Sequence, residues 1–427
     1  MGATAAPAAP IEEDARRQVR RLMWFFALVY IVEGMGQTGG LIAQPLNYFL
    51  KQQYGWTPVQ VTAYLTVLNL PWVIKPLYGA VSDFIPLFGY RRKAYLVLAN
   101  TAAAAAYFTM TRLTEPSHLI FVLLLTAYGM AISSTLCGAV LVENGQRLNK
   151  SDAFVNQQWL WFNIAAMASA LVGGFLVQHL SPEGALHGAA GIIAVAPFAA
   201  VFASIFLIEE ERRPIDVAQL KATFRGFVET FRRRELWLIA LFLFLYYFSP
   251  GFGTPLYYYM TDRLKFSQQF IGLLGSISSA GWVAGALIHR RLLKGLSSRA
   301  LINVSIVLGA LTTLAFLLLH DEASAALLNF ASGIAGMIAF VATLTLAADF
   351  CPKRSEGFAF AALMSVTNFA AALSDNVGSF LYEHLFASRL APLILVSAGF
   401  TALALVFVPL LRLGDKQPGE AVAAAGG

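Results

Sequence analysis

The chain reads as a succession of long apolar stretches, separated by short segments that hold most of its charged residues. Runs of 20 or more apolar residues match a hydrocarbon layer of roughly 30 Å. Inside that layer every backbone N–H and C=O has to be satisfied internally, so the runs are helices or strands of a closed barrel. Continuous apolarity, rather than ten-residue alternation, excludes the barrel. Twelve spans follow, over 22–50, 59–82, 92–112, 117–142, 155–179, 186–208, 235–261, 268–289, 299–319, 322–350, 356–385 and 390–411. The first, tenth and eleventh exceed what a bilayer needs, so they tilt or protrude. The pattern specifies an all-α polytopic membrane protein.

Composition agrees: of 427 residues 58% are hydrophobic and 13% charged, with a mean hydropathy of +0.64. The net charge of +6 is no nucleic-acid signal, because the bases flank the spans. Of the 30 Lys and Arg, 24 lie on the side of the N-terminus and five lie opposite: Lys51, Arg112, Arg263, Lys265 and Arg389. The remaining one, Lys75, is inside a span. That bias puts both termini in the cytoplasm. The Ala/Pro-rich start, to Ala9, reads as disordered and not as a signal peptide. Cys137 and Cys351 read as small buried side chains, without a disulfide or metal role.

The longest connection, Glu209 to Arg234, divides the spans six and six. The organisation expected is a cytoplasmic segment 1–21, a bundle 22–208, a linker 209–234, a second bundle 235–411 and a cytoplasmic tail 412–427. Val217, Leu220, Phe224, Phe227 and Phe231 recur at helical spacing in the linker, so an amphipathic helix lies there on the membrane surface or against the bundle ends. The halves repeat weakly. Pro45-Leu46 matches Pro255-Leu256 at an offset of 210. Gly79-x-x-x-Asp83 matches Gly285-x-x-x-His289, and Glu143 matches Asp349, both at 206.

Between the second and third spans lie Gly79, Asp83, Gly89, Arg91, Arg92 and Lys93. This order resembles the signature loop of the major facilitator superfamily, lengthened here by Phe84-Ile85-Pro86-Leu87-Phe88. A glycine permits close helix approach, and an acid at a helix end holds a neighbouring terminus and an arginine. With Ile74-Lys75-Pro76-Leu77-Tyr78 ahead of it, the loop resembles the folate–biopterin transporter family. Cys351-Pro352 with Glu356-Gly357, Met364-Ser365-Val366-Thr367-Asn368 and Leu141-Val142-Glu143 are similar to further stretches of that family. Ser134 and Gly138 stand where the family carries two aspartates. The resemblance implies the major facilitator fold, with twelve transmembrane helices in two six-helix halves. It also implies transport of a folate- or pterin-like solute.

Charged groups within spans are functional candidates because their burial is costly. Glu33 lies near mid-membrane in the first span, and Tyr30, Gln37 and Gln44 share its helical face. Lys75 stands between Pro71 and Pro76, which bend the second span. Asp375 shares a face of the eleventh span with Ser365, Asn368 and Ser379. Glu33 and Asp375 are the candidates for proton coupling, and each has a structural alternative as a hydrogen-bond partner between helices. Lys75 either meets an anionic solute or snorkels to the interface. Gln157, Gln158, Trp161 and Asn163 make the start of the fifth span polar. Tyr246 and Tyr247 precede Pro250, Gly251 and Gly253, where the seventh span breaks or bends. Aromatics beside amides suit a flat heterocycle, and they equally suit a membrane-interface belt.

No Walker A sequence, catalytic pairing or metal-ligand spacing is present, so neither an enzyme nor a cofactor is expected. The function expected is secondary active transport of a folate- or pterin-like solute by alternating access, coupled to protons. The alternative is another bulky solute, such as a muropeptide, nucleoside or drug. The partners expected are the solute, protons and the lipid bilayer, for a monomer in the bacterial inner (plasma) membrane.

Overall fold

The computed structural model describes residues 8–212, 232, 234–293, 295–350 and 356–411. Among these, the first half contains α1 (Ala8–Gly36), α2 (Ala43–Tyr54), α3 (Pro58–Val73), α4 (Lys75–Phe84), α5 (Lys93–Met110), α6 (Pro116–Leu148), α7 (Ser151–His179) and α8 (Pro182–Phe206). The second contains α9 (Arg234–Tyr247), α10 (Gly253–Asp262), α11 (Gln268–Ile288), α12 (Ser298–Ala315), α13 (Glu322–Phe350), α14 (Glu356–Phe380) and α15 (Leu390–Phe407). Seven of the described helices are individually long and apolar enough to cross a membrane. The linker pattern around Val217–Phe231 and the Cys351–Pro352 segment lie outside the described residues.

Three predicted spans are each divided into two helices, and each division has a local cause. The first span ends as a helix at Gly36 and resumes at Ala43. Gly36, Gly39 and Gly40 are poor helix formers, and the Leu41 N–H closes the turn on the Met35 carbonyl at 2.9 Å. This corrects the one-helix expectation: Gln37 lies in the break and Gln44 in α2, so neither continues the Glu33 face. In addition α1 begins at Ala8 and not at Leu22, so its arginine-rich front is helical too. Arg21 ties that front down, pairing with Glu209 and donating to the Phe206 carbonyl at 2.7 Å.

The second span breaks at Ile74, where Pro76 removes the N–H that the Trp72 carbonyl needs. The seventh breaks over 248–252 around Pro250. There α14 supplies the missing partners: the Gly251 N–H donates to the Ser374 carbonyl at 2.9 Å, and the Ser374 hydroxyl donates to the Ser249 carbonyl. Irregular backbone at membrane depth is tolerated only where protein or cavity satisfies it in this way.

One apolar cluster binds most of the first half, around Phe25, Phe26, Phe49, Leu96, Met110 and Phe154. Two others bind the second half, around Leu243, Ile302 and Leu346 and around Leu274, Phe316 and Leu393. The halves meet along α7 and α11 and along α3 and α14. At the first seam a Cβ placed on Gly174 would lie 2.9 Å from the Cα of Gly272, so only glycine allows that approach.

Candidate substrate site and gates

Lys75 opens α4 at the break in the second span. Its ammonium lies 4.6 Å from the Trp72 ring centroid and donates to the Ser134 hydroxyl of α6 at 3.1 Å. Glu33 reaches the same neighbourhood from α1, near enough for its charge to feel that of Lys75 and the polarity of the Ser134 hydroxyl. One carboxylate oxygen of Glu33, Oε2, is buried with no hydrogen-bond partner within the protein, as is the Tyr30 hydroxyl. Such orphaned groups each cost about 1–3 kcal/mol, so a site holding two of them is built to receive a partner. Beside it, a Cβ added to Gly138 would meet no atom within 4 Å. The sequence pattern found Glu33 and Lys75, and the fold brings them together around Ser134.

The second half contributes α14. Asn368 donates to the Trp72 carbonyl at 3.1 Å, filling the vacancy that Pro76 creates across the interface between halves. Asp375 is exposed, while Ser374, Gly378 and Ser379 around it are buried. Its carboxylate lies against the backbone of the seventh-span break, where a side chain at Gly251 would collide with it. Two indoles and a phenyl meet across the interface between the halves, a contact that the sequence pattern missed. Trp159 of α7 meets Phe340 of α13 with centroids 5.2 Å apart, and Trp282 of α11 meets Phe340 at 5.8 Å. No single helix holds the trio, so helical spacing gave no signal for it.

Other candidates stand apart. The Tyr246 hydroxyl donates to Ser305 at 3.1 Å within the second half's own core, and Tyr247 donates to Thr343 at 3.1 Å. Asn163 donates to the Trp159 carbonyl of its own helix at 2.7 Å. Gln158 is half-buried. Gln157 accepts from the Trp161 indole, and both line a separate groove described below.

Hydrogen bonds between the halves, among the described residues, all lie from mid-bundle to the end remote from the N-terminus. Lys51 of α2 pairs with Asp262 of α10 at 2.5 Å and sits 4.3 Å from the Tyr258 ring centroid. The Tyr258 hydroxyl donates to the Trp56 carbonyl. Thr62 and Ser379 share a bond of 2.8 Å, Asn376 donates to Thr66, and Gln44 donates to the Gln268 carbonyl at 2.7 Å. Glu383 accepts from the Val59 N–H at 3.2 Å, near the start of α3. Burial pushes the Lys51 ammonium below the usual lysine range, against the pull of Asp262. The structure is therefore closed at this end. Lys51, Asp262 and Glu383 were not sequence candidates, since loop charges give no sign of partners some 200 or more positions away.

At the opposite end the signature loop is knotted within the first half. Arg92, only 5% exposed, places Nη2 2.6 Å from Asp83 and 2.9 Å from Glu143, and donates through Nη1 to Ser82 at 2.5 Å. Arg91 stands 3.7 Å from Asp83. Burial raises the Asp83 carboxyl above the ordinary carboxylate range, and the arginines oppose that rise only in part. Glu210, just after α8, accepts from the backbone N–H groups of Arg91, Arg92 and Lys93 at 2.8–3.1 Å, capping α5 with a carboxylate. Gly89 is needed for its φ of +86°, and Arg212 packs beside it and over the Tyr90 ring. Gly79 leaves only the Thr135 methyl within 4 Å of an added Cβ, a looser approach than the motif suggested.

Comparison with known proteins places this geometry. The model of the BT1 family matches residues 35–418. The chain belongs to the BT1 family. A folate-biopterin transporter from Synechocystis is 31% identical over 417 residues, with 91% of this chain and 81% of that protein covered. A probable folate-biopterin transporter of Arabidopsis thaliana is 25% identical, covering 84% of this chain and 76% of its own. Folate transporter 1 of Plasmodium falciparum is 24% identical, covering 78% and 68%. Among solved structures, the nucleoside transporter NupG superposes with a TM-score of 0.69 at 14% identity, over 91% of this chain and 98% of that one. A proton-dependent oligopeptide transporter superposes at 0.67 with 13% identity, over 92% and 99%. This BT1 protein thus has the major facilitator fold, is an integral membrane protein, and serves transport of a small molecule and not enzymatic chemistry.

Proposed function

We propose that this chain carries a folate- or pterin-like solute across a bacterial inner (plasma) membrane by alternating access, driven by protons, with both termini in the cytoplasm. The BT1 relatives named for folate and biopterin support the solute class. The observation that carries the mechanism is the grouping of Glu33, Lys75 and Ser134, with one oxygen of Glu33 buried and unpartnered. A folate-like anion entering there meets Lys75. Its charge is tolerated beside Glu33 only when that carboxyl holds a proton, which links binding to protonation. Asp375 is the alternative proton site. Trp72, Trp159 and Trp282 offer faces on which a flat heterocycle stacks. The halves rock about this centre, so that the far-end contacts open while the first half keeps its own network. The room at Gly138 is the one observation that favours the bulkier-solute reading.

Glu33→Gln mimics the protonated acid, so it should retain solute binding and exchange in proteoliposomes while losing accumulation driven by a pH gradient. Lys75→Ala should weaken folate binding more than binding of uncharged pterins. Accumulation that survives in both Glu33→Gln and Asp375→Asn would exclude proton coupling through either acid.

A further inference from the structure

At the N-terminal end of the bundle, a cavity of about 580 Å³ opens between α1, the end of α6 and the start of α7. Its cationic lining is Arg16, Arg20 and Lys150, its apolar floor includes Trp24 and Trp161, and among the described residues no acid lines it. Its position on α7 shows what it faces. Gln157, Leu160, Trp161, Ile164, Leu171 and Phe175 share one helical face. Four of them are large, apolar and exposed: Leu160 53%, Ile164 44%, Leu171 46% and Phe175 53%. The other faces of α7 are occupied, by α1 where Gly34 meets Phe162 and Ala165, and by α11 where Gly174 meets Gly272. An exposed apolar stripe on a spanning helix faces acyl chains. The groove caps that stripe at membrane-interface depth, and Trp24, 60% exposed, stands on its rim. Gln157 holds the Trp161 indole by its N–H, fixing one wall.

We propose that this groove seats one anionic phospholipid. Its phosphate is held between Arg20 and Lys150, its glycerol region lies over Trp24 and Trp161, and its chains run down the stripe from Leu160. Arg20 and Lys150, with no acid among the described lining residues, select a negative headgroup, and interfacial indoles suit the boundary between headgroup and chain. The site is distinct from the Glu33–Lys75 centre. Gln157 and Trp161, which the sequence offered as solute contacts, belong to it instead.

The test is native mass spectrometry of the full-length purified protein with phosphatidylglycerol and phosphatidylcholine of matched chains. Wild type should retain one phosphatidylglycerol in at least about tenfold preference over phosphatidylcholine. The double variant Arg20→Gln, Lys150→Gln should lose retention about fivefold per base removed. Arg17→Gln with Arg147→Gln, which removes the same charge from exposed positions off the groove, should leave retention unchanged. Equal retention of the two lipids by wild type overturns the proposal without any variant. So does equal loss in both double variants, which means surface attraction alone. Displacement of the lipid by millimolar inorganic phosphate or by folate also overturns it, since the groove then takes a soluble anion.

Discussion

Asn368 offers the sharpest test of how the two halves hold each other. Pro76 deprives the Trp72 carbonyl of its helical partner, and the Asn368 side-chain N–H, from the other half, replaces it at 3.1 Å. Asn368→Leu keeps the side-chain volume and removes the donor. In the conformation seen here the carbonyl is then left unpaired at mid-bundle, at a cost of about 1–3 kcal/mol. In a conformation where α3 and α14 part, water reaches the carbonyl and the substitution costs nothing. The ratio of the two conformations should shift about 5- to 150-fold toward opening at the far end. Ala372, buried one turn from Asn368 on α14, reports that opening. Its cysteine substitution, in a background with Cys137 and Cys351 replaced by alanine, is labelled by an impermeant maleimide only when the halves separate. Pro76→Ala restores a backbone N–H to the Trp72 carbonyl, so in that background Asn368→Leu should shift labelling far less. Unchanged labelling in Asn368→Leu, or an equal shift with and without Pro76→Ala, would refute the reasoning.

Arg92→Gln strips a partner from Asp83, Glu143 and Ser82 at once. Breaking a buried pair costs about 3–5 kcal/mol, but Asp83 and Glu143 are 41% and 45% exposed, so water recovers part of it. A loss of about 1–3 kcal/mol, read as a lowered unfolding midpoint, is expected, with Glu143→Gln well below that. Equal midpoints for Arg92→Gln and wild type would deny Arg92 its central place. The Lys51–Asp262 pair makes closure pH-dependent. Burial lowers the Lys51 pKa in the closed form below that of a solvated lysine, so the closed form binds protons less well than the opened one and is favoured as pH rises toward the ordinary lysine range. Labelling at the far end should therefore fall at alkaline pH, and Lys51→Arg should remove the fall; a fall that persists in Lys51→Arg points to another group.

Much of this was legible from the chain because membrane physics writes itself in runs. Helix ranges, the breaks at Pro76 and Pro250, and the intramembrane charges Glu33, Lys75 and Asp375 each leave a local mark. The first-span break was missed because the run stays apolar through Gly36, Gly39 and Gly40 and reads as one helix, when together these glycines end it. Gln157 and Trp161 are ambiguous in sequence for a different reason. Polar and aromatic residues near a span end look alike whether they face a cavity or lipid, and the exposed stripe on α7 is what supports the proposed lipid-facing reading. Glu210 capping α5 and Lys51 reaching Asp262 rest on pairings across about 120 and 210 positions, which no local pattern encodes.

The two ends of the molecule are held by different kinds of bond, and this bears on how it moves. At the closed end the partners come from opposite halves, as in Lys51 with Asp262, Thr62 with Ser379 and Val59 with Glu383. At the signature loop, Asp83, Arg92, Glu143 and Glu210 all belong to one half. The proposed rocking motion would break the first set and leave the second intact, so on that proposal the loop keeps α4, α5, α6 and the start of the linker moving as one body. Glu210 extends that body past α8 into the connection between halves. A loop that is rigid in itself transmits any pull on the linker to α4, and α4 begins at Lys75. The proposed solute contact is thus the first residue of the helix that the signature loop anchors.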